Sequence, residues 1–315
     1  MLVVASFLHN APGCGEDGVR GVGWMIPDRF EYFSPNTVPE AVGLLQRYGA
    51  EAKVLAGGHS LIPLMKLRLA APRYVVDLNR IDGLAYIREA DGFLQIGALT
   101  RHAEIETSAL IHSRYPLLAD AARVIADPLV RNMGTIGGSL AHADPAGDWG
   151  AAMLAAGAHV VATGSRGART IPIDDLFVET FTTSLQPDEI LTEIRVPRPS
   201  PRSGGAYLKL ERKVGDFAIA AVGTFLTLDA KGGCERVGIG LCNVGPTSLR
   251  AKRAEEALRG KPPDDARVNS AAEAAAVDSD PVGDLRGPAE YKRDVVRVLT
   301  ARALRVALQR ARGGA

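Results

Sequence analysis

Residues 56–66 read AGGHSLIPLMK, in which two glycines follow a short predicted strand (53–56) and precede a predicted helix (61–69). A second glycine pair lies within residues 134–141, which read GTIGGSLA. Glycine adopts positive φ angles and lets a ligand approach the backbone without a Cβ atom in the way. Consecutive amides at a turn or at a helix N-terminus bind anions. Two such loops that converge would suit the pyrophosphate of a long nucleotide.

The glycine pairs alone leave other interpretations open. Neither loop matches the GxGxxG or the Walker pattern, so the sequence does not predict a Rossmann or P-loop domain. A single glycine pair is also typical of an ordinary tight turn. The hydroxyl groups of Ser60, Thr135 and Ser139 favour phosphate binding, because they add hydrogen-bond donors beside the glycines.

Length and charge limit the class of protein. The chain has 315 residues, enough for two domains of ordinary size. Apolar residues make up 46% of it, so sizeable cores are expected. It has 37 Lys and Arg against 36 Asp and Glu, a net charge of +1. Nucleic-acid-binding proteins usually carry a clear basic excess, so no nucleic-acid partner is predicted.

The three cysteines, Cys14, Cys234 and Cys242, limit the chemistry. None forms a CxxC pair, and three thiolates are too few for an iron–sulfur cluster of this chain's own or for a disulfide framework. We therefore expect reduced thiols and a cytoplasmic protein, with peripheral contact at the inner membrane face left open. Cys242 lies in an apolar run and is predicted to pack in a core. No apolar run approaches the ~20 residues of a membrane-spanning helix.

Composition and turn signals divide the chain into three parts. Residues 1–24 are predicted to be a disordered or dispensable extension. Residues 25–200 are predicted to form one domain with two lobes, 25–80 and 81–199, which a Pro- and Gly-rich stretch ends. Residues 203–315 are predicted to form a second, C-terminal domain.

Local patterns predict elements within these domains. Residues 37–40 (Thr-Val-Pro-Glu) have the spacing of a capping box and predict a helix that stops at Gly49. Residues 127–148 are rich in Gly, Asp and Pro and predict a long loop, which in a compact domain is usually functional. In the second domain, the apolar runs 219–228 and 237–244 predict a hairpin.

Several motifs in a consistent order resemble the FAD-binding medium subunit of molybdenum hydroxylases. They are the two glycine loops, ADPAGD at 143–148, KLERKVGDFA at 209–218 and GPAEY at 287–291. The resemblance is strongest to the medium subunit of aerobic carbon monoxide dehydrogenase, and the xanthine dehydrogenase flavin domain is a more distant relative. It implies an α+β chain, with a two-lobed FAD-binding fold of the vanillyl-alcohol-oxidase (PCMH-like) type followed by a small domain with an antiparallel sheet.

The resemblance also implies FAD as the cofactor and a set of residues that contact it. Residues 56–60 and 135–139 correspond to the two loops that embrace the pyrophosphate. Asp148 corresponds to an acid that bonds a ribityl or ribose hydroxyl, and Leu191 to an apolar contact near the flavin. The complete predicted set is Ala56, Gly57, Gly58, His59, Ser60, Leu61, Thr100, His102, Thr135, Ile136, Gly137, Gly138, Ser139, Asp148, Leu191 and Phe217. No catalytic residue and no metal ligand is predicted in this chain.

One position departs from the family pattern. Phe217 stands where the carbon monoxide dehydrogenase relative has Tyr against the isoalloxazine ring. Phenylalanine keeps the stacking face but lacks the hydroxyl, so a phenol gate over the flavin would be missing. The neighbouring Lys209, Arg212 and Lys213 are interpreted as a solvated charged face. The thioester-reducing branch of the family carries a cluster-binding cysteine insertion, which this chain lacks.

Three histidines need separate interpretations. His59 is expected to act mainly through its backbone. His102 lies either near the flavin or on the solvated surface. His142, with two nearby aspartates, fits the pattern of a metal site, but the resemblance assigns this segment to the cofactor loop.

The resemblance implies an electron-transfer subunit. In the family, a molybdopterin-binding large subunit hydroxylates the substrate, and a small subunit with two [2Fe–2S] clusters relays electrons to FAD, as a dimer of heterotrimers. The final acceptor is a quinone, NAD, a dye or oxygen. We therefore predict an oxidoreductase subunit that is inactive on the substrate when isolated. Two alternatives stay open: a self-contained FAD-dependent oxidase or dehydrogenase, and a non-catalytic nucleotide-binding assembly module.

Overall fold

The computed structural model describes residues 26–313. The predicted extension at residues 1–24, with Cys14, lies outside the described residues. The described chain contains a three-stranded, a five-stranded and a four-stranded sheet, a two-stranded hairpin, and helices between them. The predicted α+β class is therefore confirmed.

The first lobe is a parallel sheet in the order β1-β3-β2 with a helix packed against it. Its elements are β1 (Glu31–Phe33), α1 (Val38–Tyr48), β2 (Ala52–Leu55), α2 (Leu61–Lys66) and β3 (Tyr74–Asp77). The predicted first helix is confirmed: the Thr37 side chain accepts a hydrogen bond from the amide of Glu40 at 3.3 Å, and Gly49 ends the helix at a φ of +54°. A short 3-10 turn (Gly49–Glu51) then leads into β2.

The second lobe is an antiparallel sheet in the order β4-β5-β10-β6-β7, with helices packed against β10. Its strands are β4 (Ile87–Ala90), β5 (Phe93–Gly97), β6 (His159–Gly164), β7 (Gly167–Pro172), the small hairpin β8 (Phe177–Glu179) and β9 (Thr182–Thr183), and β10 (Ile190–Pro197). Its helices are α3 (His102–Thr107), α4 (Ala109–Arg114), α5 (Pro116–Arg123), α6 (Pro128–Met133), α7 (Ile136–His142) and α8 (Asp148–Ala156).

The long loop predicted at residues 127–148 is wrong, because this stretch contains α6 and α7. The Asp127 side chain accepts a hydrogen bond from the amide of Val130 at 2.9 Å and starts α6, with Pro128 in its first turn. Thr135 starts α7 in the same way, by accepting from the amide of Gly138 at 3.1 Å. The Asp, Pro and Thr residues are therefore helix-start signals here rather than loop signals.

The C-terminal domain is an antiparallel sheet in the order β11-β12-β13-β14, with the domain's own helices packed against it. Its elements are β11 (Ser203–Glu211), β12 (Ala218–Leu228), β13 (Cys234–Cys242), β14 (Leu249–Arg250), α9 (Lys252–Leu258), α10 (Asp265–Asp278) and α11 (Ala289–Ala311). The predicted hairpin is confirmed, since Ala221 pairs with Cys242 across β12 and β13. Cys242 is fully buried, as predicted.

Helix α8 joins the second lobe to the C-terminal sheet. All nine of its residues are buried, and its sequence is almost entirely small or apolar. Gly238 and Gly240 of β13 allow the contact, because a Cβ atom at either position would overlap a backbone oxygen of α8, that of Ala155 or Ala151. The helix therefore lies close against the sheet. No helix within residues 26–313 is both long and apolar enough to cross a membrane.

Candidate functional site

The first glycine loop turns the chain from β2 into α2. Gly58 has a φ of +77°, a left-handed conformation that favours glycine. Within the described residues, nothing accepts a hydrogen bond from the five consecutive amides of residues 57–61. A run of free N–H groups of this kind can bind an anion, because each donor gains a partner that the protein does not supply.

An open groove of about 520 Å³ lies beside this loop. It is the size of a typical small-molecule site. Its lining combines backbone of the first loop with apolar side chains of α2 and α6 and one lysine, and includes Gly57, Gly58, His59, Ile62, Lys66 and Met133. The groove therefore places a positive charge and free amides next to an apolar wall, which suits a ligand with both phosphate and ring parts.

The second glycine loop is the first turn of α7, and its amides are already bonded. Ile136 and Gly137 donate to the carbonyl oxygens of Thr100 and Ala98, at 3.1 and 2.9 Å. Gly138 donates to the Thr135 hydroxyl at 3.1 Å, and Ser139 to the Thr135 carbonyl oxygen at 3.0 Å. The second loop is therefore held by protein acceptors, whereas the described part of the chain supplies none for the amides of the first loop.

The two loops meet. A Cβ atom at Gly57 would overlap the carbonyl oxygen of Met133 and lie 2.7 Å from the Cα atom of Gly134. A Cβ atom at Gly138 would lie 3.6 Å from the Cβ atom of Ala56. The structure thus brings together the residues predicted for both loops, 56–61 and 135–139. Free amides at this junction can bind the phosphates of a nucleotide, and the apolar groove beside them can take a ring.

Thr100 and His102 lie behind the second loop. The Thr100 hydroxyl donates to the Tyr86 carbonyl oxygen at 3.1 Å, and the residue is buried. His102 accepts a hydrogen bond at Nδ1 from the indole Nε1 of Trp149 at 3.0 Å, and its ring faces Gly134. Burial, as the main cause, lowers the pKa of His102 to about 4. The interpretation of His102 as a solvated surface residue is therefore wrong: it is a neutral, buried support of the loop.

Asp148 is buried at the start of α8 and bonded to the C-terminal domain. Its carboxylate accepts from the Tyr207 hydroxyl at 2.9 Å and from the ammonium of Lys209 at 3.0 Å. Burial raises the pKa of this carboxyl, and the Lys209 charge opposes that shift. Both oxygens thus have protein partners, and the role of Asp148 as a direct ligand of a cofactor hydroxyl stays a prediction.

The prediction that Lys209, Arg212 and Lys213 form a solvated charged face is wrong for Lys209. The Lys209 side chain is 2% exposed and donates a further hydrogen bond to the Val124 carbonyl oxygen at 2.9 Å. Arg212 and Lys213 are exposed, after the strand has ended. The alternation of β11 explains the difference, since Tyr207 and Lys209 point to the same side of the strand.

Leu191 and Phe217 do not line the groove. Leu191 is 5% exposed and packs in the core between the second lobe and the C-terminal sheet. Phe217 is 49% exposed, and the Arg286 guanidinium lies 5.8 Å from the centre of its ring. Its loop touches the second lobe at Gly215, where a Cβ atom would lie 3.3 Å from the Ala126 carbonyl oxygen. The packing of Phe217 toward the flavin stays a prediction.

His142 stacks at a tilt on Phe181, with ring centres 5.1 Å apart. Burial, as the main cause, lowers its pKa. Within residues 26–313, no group of three or more His, Cys, Asp or Glu side chains is arranged to hold a metal ion.

Sequence reasoning missed two polar residues at the loop junction, Asn79 and Arg101. Asn79 donates to the Ala56 carbonyl oxygen at 2.8 Å, and Arg101 donates to Asn79 at 2.6 Å and also to the Met133 carbonyl oxygen. A signal was present, because Asn79 follows β3, whose parallel neighbour β2 leads into the first loop. The carboxyl ends of parallel strands meet at one edge of a sheet, where ligands bind.

Comparison with known proteins gives two family matches that together span most of the chain. Residues 28–199 match the FAD binding domain in molybdopterin dehydrogenase, and residues 205–307 match the carbon monoxide dehydrogenase flavoprotein C-terminal domain.

Individual relatives agree with these matches. The carbon monoxide dehydrogenase medium chain of Hydrogenophaga pseudoflava is 45% identical over 91% of this chain and 99% of its own length. Subunit alpha of the 6-hydroxypseudooxynicotine dehydrogenase complex of Paenarthrobacter nicotinovorans is 42% identical over 91% and 97%. The putative xanthine dehydrogenase FAD-binding subunit of Escherichia coli is 26% identical over 91% and 98%.

A solved structure of carbon monoxide dehydrogenase from Hydrogenophaga pseudoflava superposes with a TM-score of 0.88 and 47% identity, over 91% of this chain and 99% of that chain. The predicted FAD-binding fold and the resemblance to this family are confirmed. The predicted distant relationship to the xanthine dehydrogenase flavin subunit is also confirmed.

Proposed function

Because the chain belongs to the family of FAD-binding medium subunits of molybdenum hydroxylases, we propose that it is the electron-transfer subunit of such a complex. It would receive electrons from [2Fe–2S] clusters on a small partner subunit and deliver them to an external acceptor, a quinone, NAD, a dye or oxygen. A molybdopterin-binding large subunit would oxidise the substrate. The complex would be a dimer of such heterotrimers.

The free amides of residues 57–61 carry this proposal. They are the only five-residue run of free loop amides at the junction of the two lobes in the described chain, and an apolar groove adjoins them. We propose that they bind the FAD pyrophosphate, with Lys66 offsetting its charge and the hydroxyls of Ser60 and Ser139 adding donors. Bound FAD supplies the electron and hydride chemistry, and the protein supplies binding and electrostatics.

The remaining predicted contacts take different roles in this proposal. Thr100 and His102 would act from behind the second loop, and Asp148 and Leu191 from the adjoining core. Phe217 would approach the flavin from the C-terminal domain. The FAD-binding domain would comprise residues 25–200, in lobes 25–80 and 81–199, and the C-terminal domain residues 203–315.

Substrate choice is proposed to lie on the large subunit. Two of the relatives above are each more than 40% identical to this chain, yet their names refer to different substrates, carbon monoxide and 6-hydroxypseudooxynicotine. A subunit of nearly constant fold is expected when the reaction that supplies the electrons occurs on another chain. The isolated chain is therefore proposed to be inactive on the substrate.

Co-expression with the proposed large and small partner subunits tests the proposal. We expect a three-chain complex with one FAD per copy of this chain, measured by its visible absorption after reconstitution with FAD. Substrate turnover by this chain alone would favour the self-contained oxidase instead. Assembly of the complex without any flavin band, after reconstitution, would favour the assembly module.

The cytoplasmic location stays a prediction, and nothing in the described surface supports contact with the membrane face.

A further inference from the structure

The two glycine loops are connected by polar side chains that the proposed FAD contacts do not include. Asn79 Nδ2 donates to the carbonyl oxygen of Ala56, the first residue of the first loop, at 2.8 Å. Arg101 donates through one terminal nitrogen to Asn79 Oδ1 at 2.6 Å and through the other to the carbonyl oxygen of Met133. Met133 directly precedes the second loop and touches Gly57.

Asn79 is fixed at its place by its own strand. Its amide nitrogen and its side-chain nitrogen both donate to Asp77 Oδ1, at 2.9 and 2.5 Å. The other oxygen of Asp77 accepts from the Tyr32 hydroxyl at 2.6 Å. Asn79 is exposed, but these bonds give it one orientation, in which its carbonyl oxygen faces Arg101 and its amide faces Ala56.

Arg101 is fixed to the second lobe by its backbone. Its amide donates to Glu104 Oε2 at 2.7 Å, and the residue pairs with Thr135 in an isolated antiparallel bridge. The side chain is half-buried, so the guanidinium loses solvent that the Asn79 and Met133 oxygens replace. One residue thus bonds both loops, with its backbone on the second and its side chain reaching toward the first.

We propose that Asn79 and Arg101 are positioning residues for FAD. Their hydrogen bonds, called here the Asn79–Arg101 bridge, hold the free amides of residues 57–61 at a fixed distance from the start of α7. Without the bridge, the two lobes could separate at the junction, and the amides would have to be brought together when the cofactor binds. The bridge therefore raises FAD affinity by preorganisation, without touching the cofactor. This inference rests on the proposed function.

The test uses the complex with its partner subunits, from which FAD has been removed and then titrated back by flavin fluorescence. Asn79→Ala and Arg101→Lys should each raise the dissociation constant for FAD about five- to tenfold, the loss expected from one or two hydrogen bonds. Lysine keeps the charge but cannot bond Asn79 and Met133 as a fork. The double variant should bind FAD no more weakly than the weaker-binding single variant, because both changes break the same bridge.

Two further measurements separate positioning from general stability and from charge. The visible circular dichroism of bound flavin should change in both single variants, while the melting temperature of the flavin-free complex should fall by no more than about 2 °C. Arg80→Gln is the matched control, because Arg80 adjoins Asn79 and makes no hydrogen bond with the described residues. It should bind FAD as the wild type does.

Several outcomes would overturn the bridge. One is unchanged FAD affinity in both single variants. Another is wild-type affinity in Arg101→Lys alone, which would indicate that only the charge of Arg101 matters. The third is a loss of affinity in the double variant that equals the sum of the two single losses. If wild-type complex retains flavin and the variants match it, only the bridge fails. If wild-type complex cannot be loaded with FAD at all, the proposed function fails, and the bridge fails with it.

Discussion

The two glycine loops have similar sequences but different positions relative to the helices that follow them. In the first loop, Gly57 and Gly58 stand before the start of α2, so their amides lie outside the helix and have no acceptor within residues 26–313. In the second loop, Gly137 and Gly138 are inside the first turn of α7, where Thr135 caps one amide and the segment that follows β5 accepts from two others. A glycine pair therefore does not by itself predict a phosphate-binding loop.

The glycines of the two loops therefore have different physical roles. The glycines of the first loop leave donors open for a ligand and let the chain turn. The glycines of the second loop remove side chains where backbone meets backbone: a Cβ atom at Gly137 would lie 2.5 Å from the Cβ atom of Ala98 and 2.7 Å from its carbonyl oxygen. We expect changes in the second loop to act mainly on stability, and changes in the first loop to act mainly on FAD affinity.

The largest effect is expected for Gly137→Ala. The added methyl group has no space against the backbone of Ala98, so overpacking should lower the free energy of unfolding by ~3 kcal/mol. That corresponds to a fall in melting temperature of about 5 °C for a chain of this length. Gly43→Ala is the matched control, because a Cβ atom there meets nothing within 4 Å in helix α1 and should stabilise the helix slightly. Equal melting temperatures for the two variants would show that the close packing of the second loop does not require glycine at position 137.

An effect of comparable size on stability is expected from His102, which lies behind the second loop. The pKa of His102 is lowered to about 4 from an ordinary value near 6.5, with burial as the main cause. Neutral His102 therefore contributes stability that is fully present above pH 6.5 and is lost as the pH falls through 4, on the order of 2–3 kcal/mol. Denaturant unfolding at pH 7 and pH 4.5 measures the loss, and His102→Gln should reduce it. An equally steep loss in His102→Gln would assign the acid sensitivity to other groups.

The sequence predicted the fold class, the first helix, the C-terminal hairpin and the two loops as one junction, because these depend on local spacing and on a resemblance carried by ordered motifs. It did not predict which loop has free amides, since that depends on the acceptors Ala98 and Thr100, which lie in the turn after β5. Nor did it predict the burial of Lys209, because a basic run is typical of a solvated face and only the contact with Asp148 on α8 explains it. Asn79 and Arg101 were missed because each is isolated in sequence and their contact is long-range.

A smaller effect, of a different kind, is expected in the first loop. Gly58→Ala forces alanine to a φ of +77°, a strain of about 1–2 kcal/mol, and its methyl group would lie 2.7 Å from Ile62 Cδ1. The loop should relax and turn its amides, and FAD affinity should fall about tenfold or more, measured by fluorescence titration. Gly92→Ala is the control, with a φ of +80° and nothing within 4 Å, in the turn between β4 and β5. It should show the strain in its melting temperature but bind FAD normally; a matching loss of affinity in Gly92→Ala would mean that strain alone explains the result.

The smallest effect is expected at the cap of the second loop. Thr135→Val replaces the hydroxyl that accepts from Gly138 with a methyl group of similar size, and should lower stability by ~1 kcal/mol, whereas Thr135→Ser keeps the cap. FAD affinity should change less than about twofold in both variants, because the second loop is not expected to supply amides. The valine variant is informative for that reason: it frees the Gly138 amide at the junction. Tighter FAD binding by Thr135→Val would mean that a freed amide in the second loop can take part in the cradle, and that capping, rather than the position of the glycines, separates the two loops.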